Sequence, residues 1–338
     1  MKRTTIVRSF FILLLALMIF VISLIVIHKN KTNNSIVSSE NSLKNETLIT
    51  LDKEPNYIFS SNNSNDLFVC IGNELRVYDK EGKYFSHKTN GTLVKASEGG
   101  GIIYYINDKQ KLYMLDMKTD NTDYILDGIS DVSISYDLNG AVSPDGKLYL
   151  WGNKAKDFYN SQKDCTQPLL YESNIKWKEI KFSYRYALAR DDSGCVYECD
   201  LFSEGLKSFH KIESLNNIDS IYGGYGNIAV SKSGTIHYWF GLFNSKDFDP
   251  MIDNPWDIEK ELNNIKPSRF DFSSAFVVAY NDNDAYFWGE NGYSSPNKGI
   301  DYIRTPTLDP DLKDFDNLYC GYSIVYLQKG LDIRIVQK

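Results

Sequence analysis

From about residue 48 to the end of the chain, apolar and polar positions alternate in short runs broken by tight turns, and the alternation keeps returning in one frame. In Ala141-Val-Ser-Pro-Asp-Gly-Lys-Leu-Tyr-Leu-Trp-Gly-Asn153, Asp145-Gly146 is a turn dipeptide, and Leu148 and Leu150 alternate with Tyr149 and Trp151. Period-2 alternation on both sides of such a turn predicts a β-hairpin. The frame recurs at Ser231-Lys-Ser-Gly-Thr-Ile-His-Tyr-Trp239 and at Ala279-Tyr-Asn-Asp-Asn-Asp-Ala-Tyr-Phe-Trp-Gly289. With the Trp151 position as marker, seven copies align at Tyr78, Leu115, Trp151, Cys199, Trp239, Trp288 and Ile335, spaced 37, 36, 48, 40, 49 and 47 residues apart. Five residues before each marker stands a turn residue or polar stand-in: Asn73, Gln110, Gly146, Gly194, Gly234, Asn283 and Gly330.

Each unit is long enough for four short strands, and a lone four-stranded sheet leaves two apolar faces and two open edges. Seven such sheets packed around an axis cover one another's faces, so the period predicts an all-β, seven-bladed propeller over residues 48–338. Glu46-Thr-Leu-Ile-Thr-Leu51 is the candidate strand for completing the last blade from the other end of the chain. A parallel β-solenoid also repeats, at shorter and more uniform periods.

The first 47 residues follow a different pattern. Phe10 to Ile27 is eighteen residues with Ser23 as the one polar position, preceded by Lys2, Arg3 and Arg8. At ~1.5 Å per residue such a helix reaches about 27 Å, close to a bilayer core. The expectation is a single transmembrane helix at 10–27, a basic cytoplasmic tail at 1–9, an Asn-, Ser- and Lys-rich stalk at 28–47, and the body on the extracytoplasmic side of the cell membrane. A cleaved signal peptide is the alternative, but no small-x-small site follows the apolar run.

Residues between the markers carry a resemblance. Trp288-Gly-Glu-Asn-Gly-Tyr-Ser-Ser-Pro296, Pro306, Leu312, Phe315 and Tyr319-Cys-Gly-Tyr-Ser-Ile-Val-Tyr-Leu327 are similar to the RCC1 (regulator of chromosome condensation) repeat: Trp-Gly, Asn-x-x-Gly, a proline, then a strand entering through glycine. Ser220-Ile-Tyr-Gly-Gly-Tyr-Gly-Asn-Ile-Ala-Val230 and Asp131-Val-Ser-Ile134 resemble the same strand entry. The chain departs from the pattern where Cys199-Asp200 stands for Trp-Gly, where Phe240 replaces the glycine, and in the first two copies, which lack both. The resemblance implies a seven-bladed RCC1-like propeller in which Gly146, Trp151, Gly152, Gly194, Gly234, Trp239, Trp288, Gly289 and Gly330 are structural: glycines at turns, tryptophans between blades.

Charge narrows the choice of partner. Five of the 37 basic residues lie in the first 31 positions, leaving 32 basic against 44 acidic residues in the rest, a net of −12. Such a body repels phosphate backbones, so no nucleic-acid partner is expected. The five cysteines (Cys70, Cys165, Cys195, Cys199, Cys320) and four scattered histidines show no metal-ligand spacing and read as core or strand residues. No Gly-rich phosphate loop, HExxH or GxSxG is present, and Asn281-Asp-Asn-Asp284 lacks the frame of a calcium loop. No cofactor, metal or catalytic residue is expected.

Three long segments interrupt the repeat, at residues 154–176, 241–266 and 291–314; in the second, Asn254-Pro-Trp-Asp has the cap, proline and acid of a helix start. Tyr222, Tyr225 and Tyr322 beside glycines, with Phe158, Tyr159 and Trp256 in the insertions, are the candidate partner-binding residues. For the tyrosines, packing between blades is the competing expectation. The function expected is a monomeric, non-catalytic scaffold that binds an unknown folded protein at the cell surface. Alternatives are a carbohydrate-binding or carbohydrate-active surface protein and a propeller-type inhibitor of an extracellular enzyme.

Overall fold

Strands covered on both faces need no polar alternation, and the middle strands of the repeat have none: Leu67–Ile71 reads LFVCI and Phe276–Tyr280 reads FVVAY, the latter buried throughout. The computed structural model describes residues 47–61, 64–135, 137–159, 165–183, 185–203, 206–224, 226–241, 243, 255–282, 284–290 and 302–336. These residues form seven antiparallel meander sheets, six of four strands and one of three. In chain order the first strands of blades 1 to 7 are Tyr57–Ser60, Leu93–Gly99, Asp131–Ile134, Trp177–Phe182, Ile218–Gly223, Arg269–Phe272 and Asn317–Cys320, and these stand innermost.

Seven hydrophobic clusters fill the seven seams between neighbouring blades. Trp151 packs with Tyr104, Ile106 and Leu112 between blades 2 and 3, Trp239 with Leu188 and Val196 between blades 4 and 5, and Trp288 with Ile228, Ile236 and Tyr238 between blades 5 and 6. Where tryptophan is missing, Leu115 and Cys199 fill the seams between blades 1 and 2 and blades 3 and 4. Thr47–Thr50 pairs with Asp332–Val336, Thr47 opposite Ile335 and Thr50 opposite Asp332, so a strand from the start of the described chain completes the last blade. Ile49, Leu51, Ile333 and Ile335 join Ile58, Leu67 and Tyr78 in the closing seam between blades 7 and 1.

Two details of the repeat frame are corrected. In the last blade Val336 packs toward blade 6, whereas Ile335 turns the other way, into the closing seam, so Val336 is the structural equivalent of Trp288. Strand side chains alternate between faces, and Gly330 is the first residue of a two-residue turn between paired Lys329 and Asp332, as Gly72 is between Ile71 and Glu74, so the residue that takes the Trp288 position comes one place later after it than Trp151 comes after Gly146. In the first blade Gly72 (φ +62°), and not Asn73, takes the left-handed turn position, while Gln110 (φ +57°) takes it in the second.

Blade 5 has three strands among the described residues, and the helix Pro255–Ile265 covers the edge where a fourth would pair. Asn263 accepts from the Ile236 N–H (3.0 Å) and donates to the Ile236 carbonyl (2.7 Å), and Glu259 accepts from the Tyr238 N–H (3.1 Å). Side chains of the helix thus satisfy the edge groups that a strand would otherwise have paired.

The apolar span at 10–27 and its flanks lie outside the described residues. Among those described, no helix is long and apolar enough to cross a membrane.

Candidate functional site: the central channel

The inner strand of each blade pairs on one edge only, so its other edge offers backbone N–H groups toward the next blade around the ring. Polar side chains on the preceding inner strand take them up. Ser97 accepts from Ile134 N–H (3.2 Å), Asp131 from Ile180 (2.8 Å), Ser133 from Phe182 (3.0 Å), Glu179 from Ile221 (3.3 Å) and Asp271 from Cys320 (2.7 Å). The seams are therefore apolar outside and polar at the axis.

Ser97, Ser133 and Asp271, with Lys95 and Lys181, line a cavity of about 670 Å³ bounded by inner strands of blades 1 to 6. One side of its wall is an ion network. The Asp131 side chain, 3% exposed, faces the Lys95 ammonium as an ion pair and lies 3.7 Å from Lys181 Nζ. Lys181 also meets Glu179 (3.3 Å), which meets Arg190 (3.3 Å). Burial pushes the Asp131 carboxyl upward, but Lys181, Lys95 and the Ile180 N–H together hold it below the ordinary carboxylate range. The same carboxylates raise the Lys181 ammonium against its own desolvation.

Asp271 stands in the opposite situation. It accepts from the Cys320 N–H (2.7 Å) and the Phe272 N–H (2.9 Å), and no cation pairs with it among the described residues. Burial pushes its carboxyl up to about 7 in spite of the two backbone donors.

Strand direction places one side of the ring apart from the other. The third strands all end on the side where the inner strands end. The stretches of chain that follow them are short in blades 1 and 2 (residues 79–83 and 117–120) but run over 152–168, 201–209, 240–254 and 291–301 in blades 3 to 6 before the next strand or, in blade 5, the helix Pro255–Ile265. Lys154, Leu201 and Phe202 from these longer connections line the cavity, with Lys154 Nζ 3.8 Å from the centre of the Phe202 ring. Phe202 (48% exposed) and Leu206 (62%) present apolar surface there.

The sequence candidates divide clearly. Gly146, Gly194, Gly234 and Gly330 occupy hairpin turns with φ of +89°, +89°, +84° and +57°, and Gly152 and Gly289 have φ of +109° and +112°. At Gly194 the reason is visible: a Cβ would lie 2.8 Å from the Ile218 carbonyl oxygen, and the Gly194 carbonyl accepts the Ile218 N–H at 2.9 Å, tying this turn to the next blade. Trp151, Trp239 and Trp288 are buried. Of the partner candidates, Phe158 is 6% exposed within a core cluster, and Tyr159 is half-buried with its hydroxyl on the Leu169 carbonyl (2.6 Å), so neither is the exposed aromatic its loop context suggests. Tyr222 packs its ring against Phe270 (5.3 Å) and Phe272 (6.0 Å) between blades 5 and 6. Tyr322 is 49% exposed, while Tyr225 and the Trp256 side chain lie outside the described residues.

Sequence reasoning missed Lys95, Asp131, Glu179, Lys181 and Asp271. Their signal is an alternation of charge and apolar residue ahead of each hairpin, as in Asp131-Val-Ser-Ile134, Glu179-Ile-Lys-Phe182 and Arg269-Phe-Asp-Phe272. All five cysteines are free, and no cluster of metal-ligating residues occurs among the described residues.

The architecture is that of a seven-bladed β-propeller. The structure of Kap60 bound to yeast RCC1 (Prp20) is similar at a TM-score of 0.58 and 12% identity, over 82% of this chain and 79% of that one. A chain of the mitotic checkpoint complex matches at a TM-score of 0.53 with 9% identity, covering 86% of this chain and 93% of that one. The WD40 repeats of RRP9 match at 0.52 with 9% identity, covering 86% and 97%. At these identities the likeness is one of fold. No protein-family model and no curated protein sequence matches the chain.

Proposed function

We propose that this protein is a single-pass membrane protein, anchored through residues 10–27, whose extracytoplasmic propeller is a non-catalytic scaffold binding another folded protein at the cell surface. The observation that carries the reading is that the four third strands followed by long stretches of chain all end on one side of the ring, where Phe202 and Leu206 are exposed. Loops on a fixed frame can vary in sequence without loss of the fold, and exposed apolar groups among them suit a protein contact. Two of the channel acids, Asp131 and Glu179, are spent on Lys95, Lys181 and Arg190. Two of the structures similar in fold, Kap60 bound to RCC1 and the mitotic checkpoint complex, are themselves protein assemblies.

The test uses the full-length chain purified through an affinity tag from detergent-solubilised membranes of its own cell, beside a Phe202→Asp/Leu206→Asp variant. One stoichiometric protein retained by the native chain and lost from the variant is the expected result. Retention of no protein, or equal retention by the variant, sinks the scaffold reading at this side of the ring. In the same preparation the anchor predicts that the chain stays with the membrane pellet after an alkaline wash, and release into the supernatant contradicts it.

A further inference from the structure

On the inner strands of the channel wall, the carboxylates of Glu98 and Asp271 have no cation partner among the described residues. Asp131 and Glu179 each face a lysine or arginine, whereas Glu98 spends its oxygens on the Ser61 hydroxyl of blade 1 and the Gly101 N–H (2.9 Å). Asp271 performs the same bridging task, on the Cys320 N–H, with no cation opposite it among the described residues. Its nearest basic neighbour along the strand, Arg269, is turned to the seam with blade 7, where it donates to the Asp316 carbonyl (2.6 Å) and Asn317 Oδ1 (2.7 Å). Such a carboxylate favours a cation that comes from outside.

The rest of the cavity tells what kind of molecule would bring that cation. Ser60, Ser97 and Ser274 line it with part of their surface open. Ser97 accepts a backbone N–H and gives its own proton to no acceptor among the described residues, and the hydroxyls of Ser60 and Ser274 are unspent there altogether. At the rim, Phe202 presents a half-exposed ring beside the Lys154 ammonium, 3.8 Å from its centre. A cavity of about 670 Å³ is within the usual range for small-molecule sites, and is large for a bare ammonium ion.

We propose that the open end of the channel binds a small polyhydroxylated molecule carrying a primary ammonium group, of the amino-sugar class, with the ammonium on Asp271 and ligand hydroxyls on Ser60, Ser97 and Ser274. The ligand groups assigned here, Asp271 and the three serines, lie on or next to the inner strands and are untouched by the Phe202/Leu206 variant that tests the scaffold reading, so failure of one is distinguishable from failure of the other. Burial, which holds the free carboxyl near neutrality, favours the same assignment, because an ammonium brought in restores the partner that ionisation lacks.

The experiment is calorimetric titration of the full-length protein in detergent with glucosamine, glucose and N-acetylglucosamine. Glucosamine is expected to bind, and the two probes without the free amine to bind at least about tenfold more weakly, the usual value of one hydrogen bond to a charged group. Asp271→Asn removes the charge and is expected to abolish the preference for the amine. Ser274→Leu, at an exposed wall position, is expected to weaken glucosamine binding at an unchanged melting temperature, and serves if Asp271→Asn does not fold. Equal binding of all three sugars, absence of glucosamine binding at millimolar concentration, or an amine preference that survives in a folded Asp271→Asn variant each overturn the proposal.

Discussion

Replacing Trp288 by alanine is expected to cost the propeller about 3–5 kcal/mol, read as a lowered denaturant midpoint of the full-length chain. The ring is 0% exposed, edge-on to Tyr238 at 6.0 Å, and enclosed by Ile258 and Leu262 of the helix that covers blade 5 together with Phe270 of the next inner strand. Its deletion opens a cavity at the point where blade 5, blade 6 and the helix meet, and none of the three can close it without leaving another partner. Trp288→Phe separates packing from polarity. The Trp288 indole N–H has no hydrogen-bond partner among the described residues, so phenylalanine loses volume alone and should cost well under half as much as alanine. At Trp151 the indole donates to the Tyr104 hydroxyl (3.1 Å), and there the phenylalanine variant should recover less. Equal midpoints for native chain and Trp288→Ala would mean that the ring does not fill this seam.

The second large effect is expected at the axis. Asp131→Ala leaves the Lys181 ammonium with Glu179 as its remaining carboxylate and strips the Ile180 N–H of its acceptor. Breaking a buried pair from one side typically costs about 3–5 kcal/mol, because the surviving charge loses its compensation. Asp131→Ala combined with Lys181→Met should regain part of that loss, since the more buried of the two ammonium groups is then gone and the more exposed Lys95 alone lacks its carboxylate. The dependence on pH has a definite sign. With its folded pKa below the unfolded value, Asp131 contributes stability that is present above the usual carboxylate range and is lost as pH falls through the folded pKa. Asp271, raised to about 7, acts oppositely: the stability linked to its protonation is present below the unfolded carboxylate pKa and disappears as pH rises through about 7. A double variant no more stable than the single one would refute the role given to the ion network.

Much of this ring was legible in the sequence because its seams repeat a physical demand. Each third strand must put a large apolar group into the space before the next blade, and Trp151, Trp239 and Trp288 meet that demand visibly, while Leu115 and Cys199 meet it without a signature. Thr47–Thr50 was legible as the closing strand for the same reason, since Ile49 and Leu51, two apart, supply one apolar face for an unpaired last repeat. The position of Val336 was not, because a glycine one place earlier in its turn changes which face the fifth residue after it takes without altering the composition of the strand.

The site was less accessible to sequence reasoning. Asp131, Glu179 and Asp271 lie tens of residues apart and are alike as letters; what distinguishes Asp271 is the cation it lacks, and that depends on which lysines the neighbouring blades bring to the axis. Phe158 and Tyr159 were misjudged for the converse reason. A long connection was taken as exposed throughout, whereas its first turn, Lys156–Tyr159, folds back and buries Phe158 against Tyr171 and Phe209.

The measurement that bears most directly on the central claim, that partners meet the side of the ring where the third strands end, is site-specific photo-crosslinking in intact cells. A photoreactive residue is placed at Phe202 on that side, and in a second strain at exposed Asp282, in a hairpin turn on the other. The account predicts one discrete protein adduct from position 202 and none from position 282. An adduct from position 282 with none from 202 would contradict it.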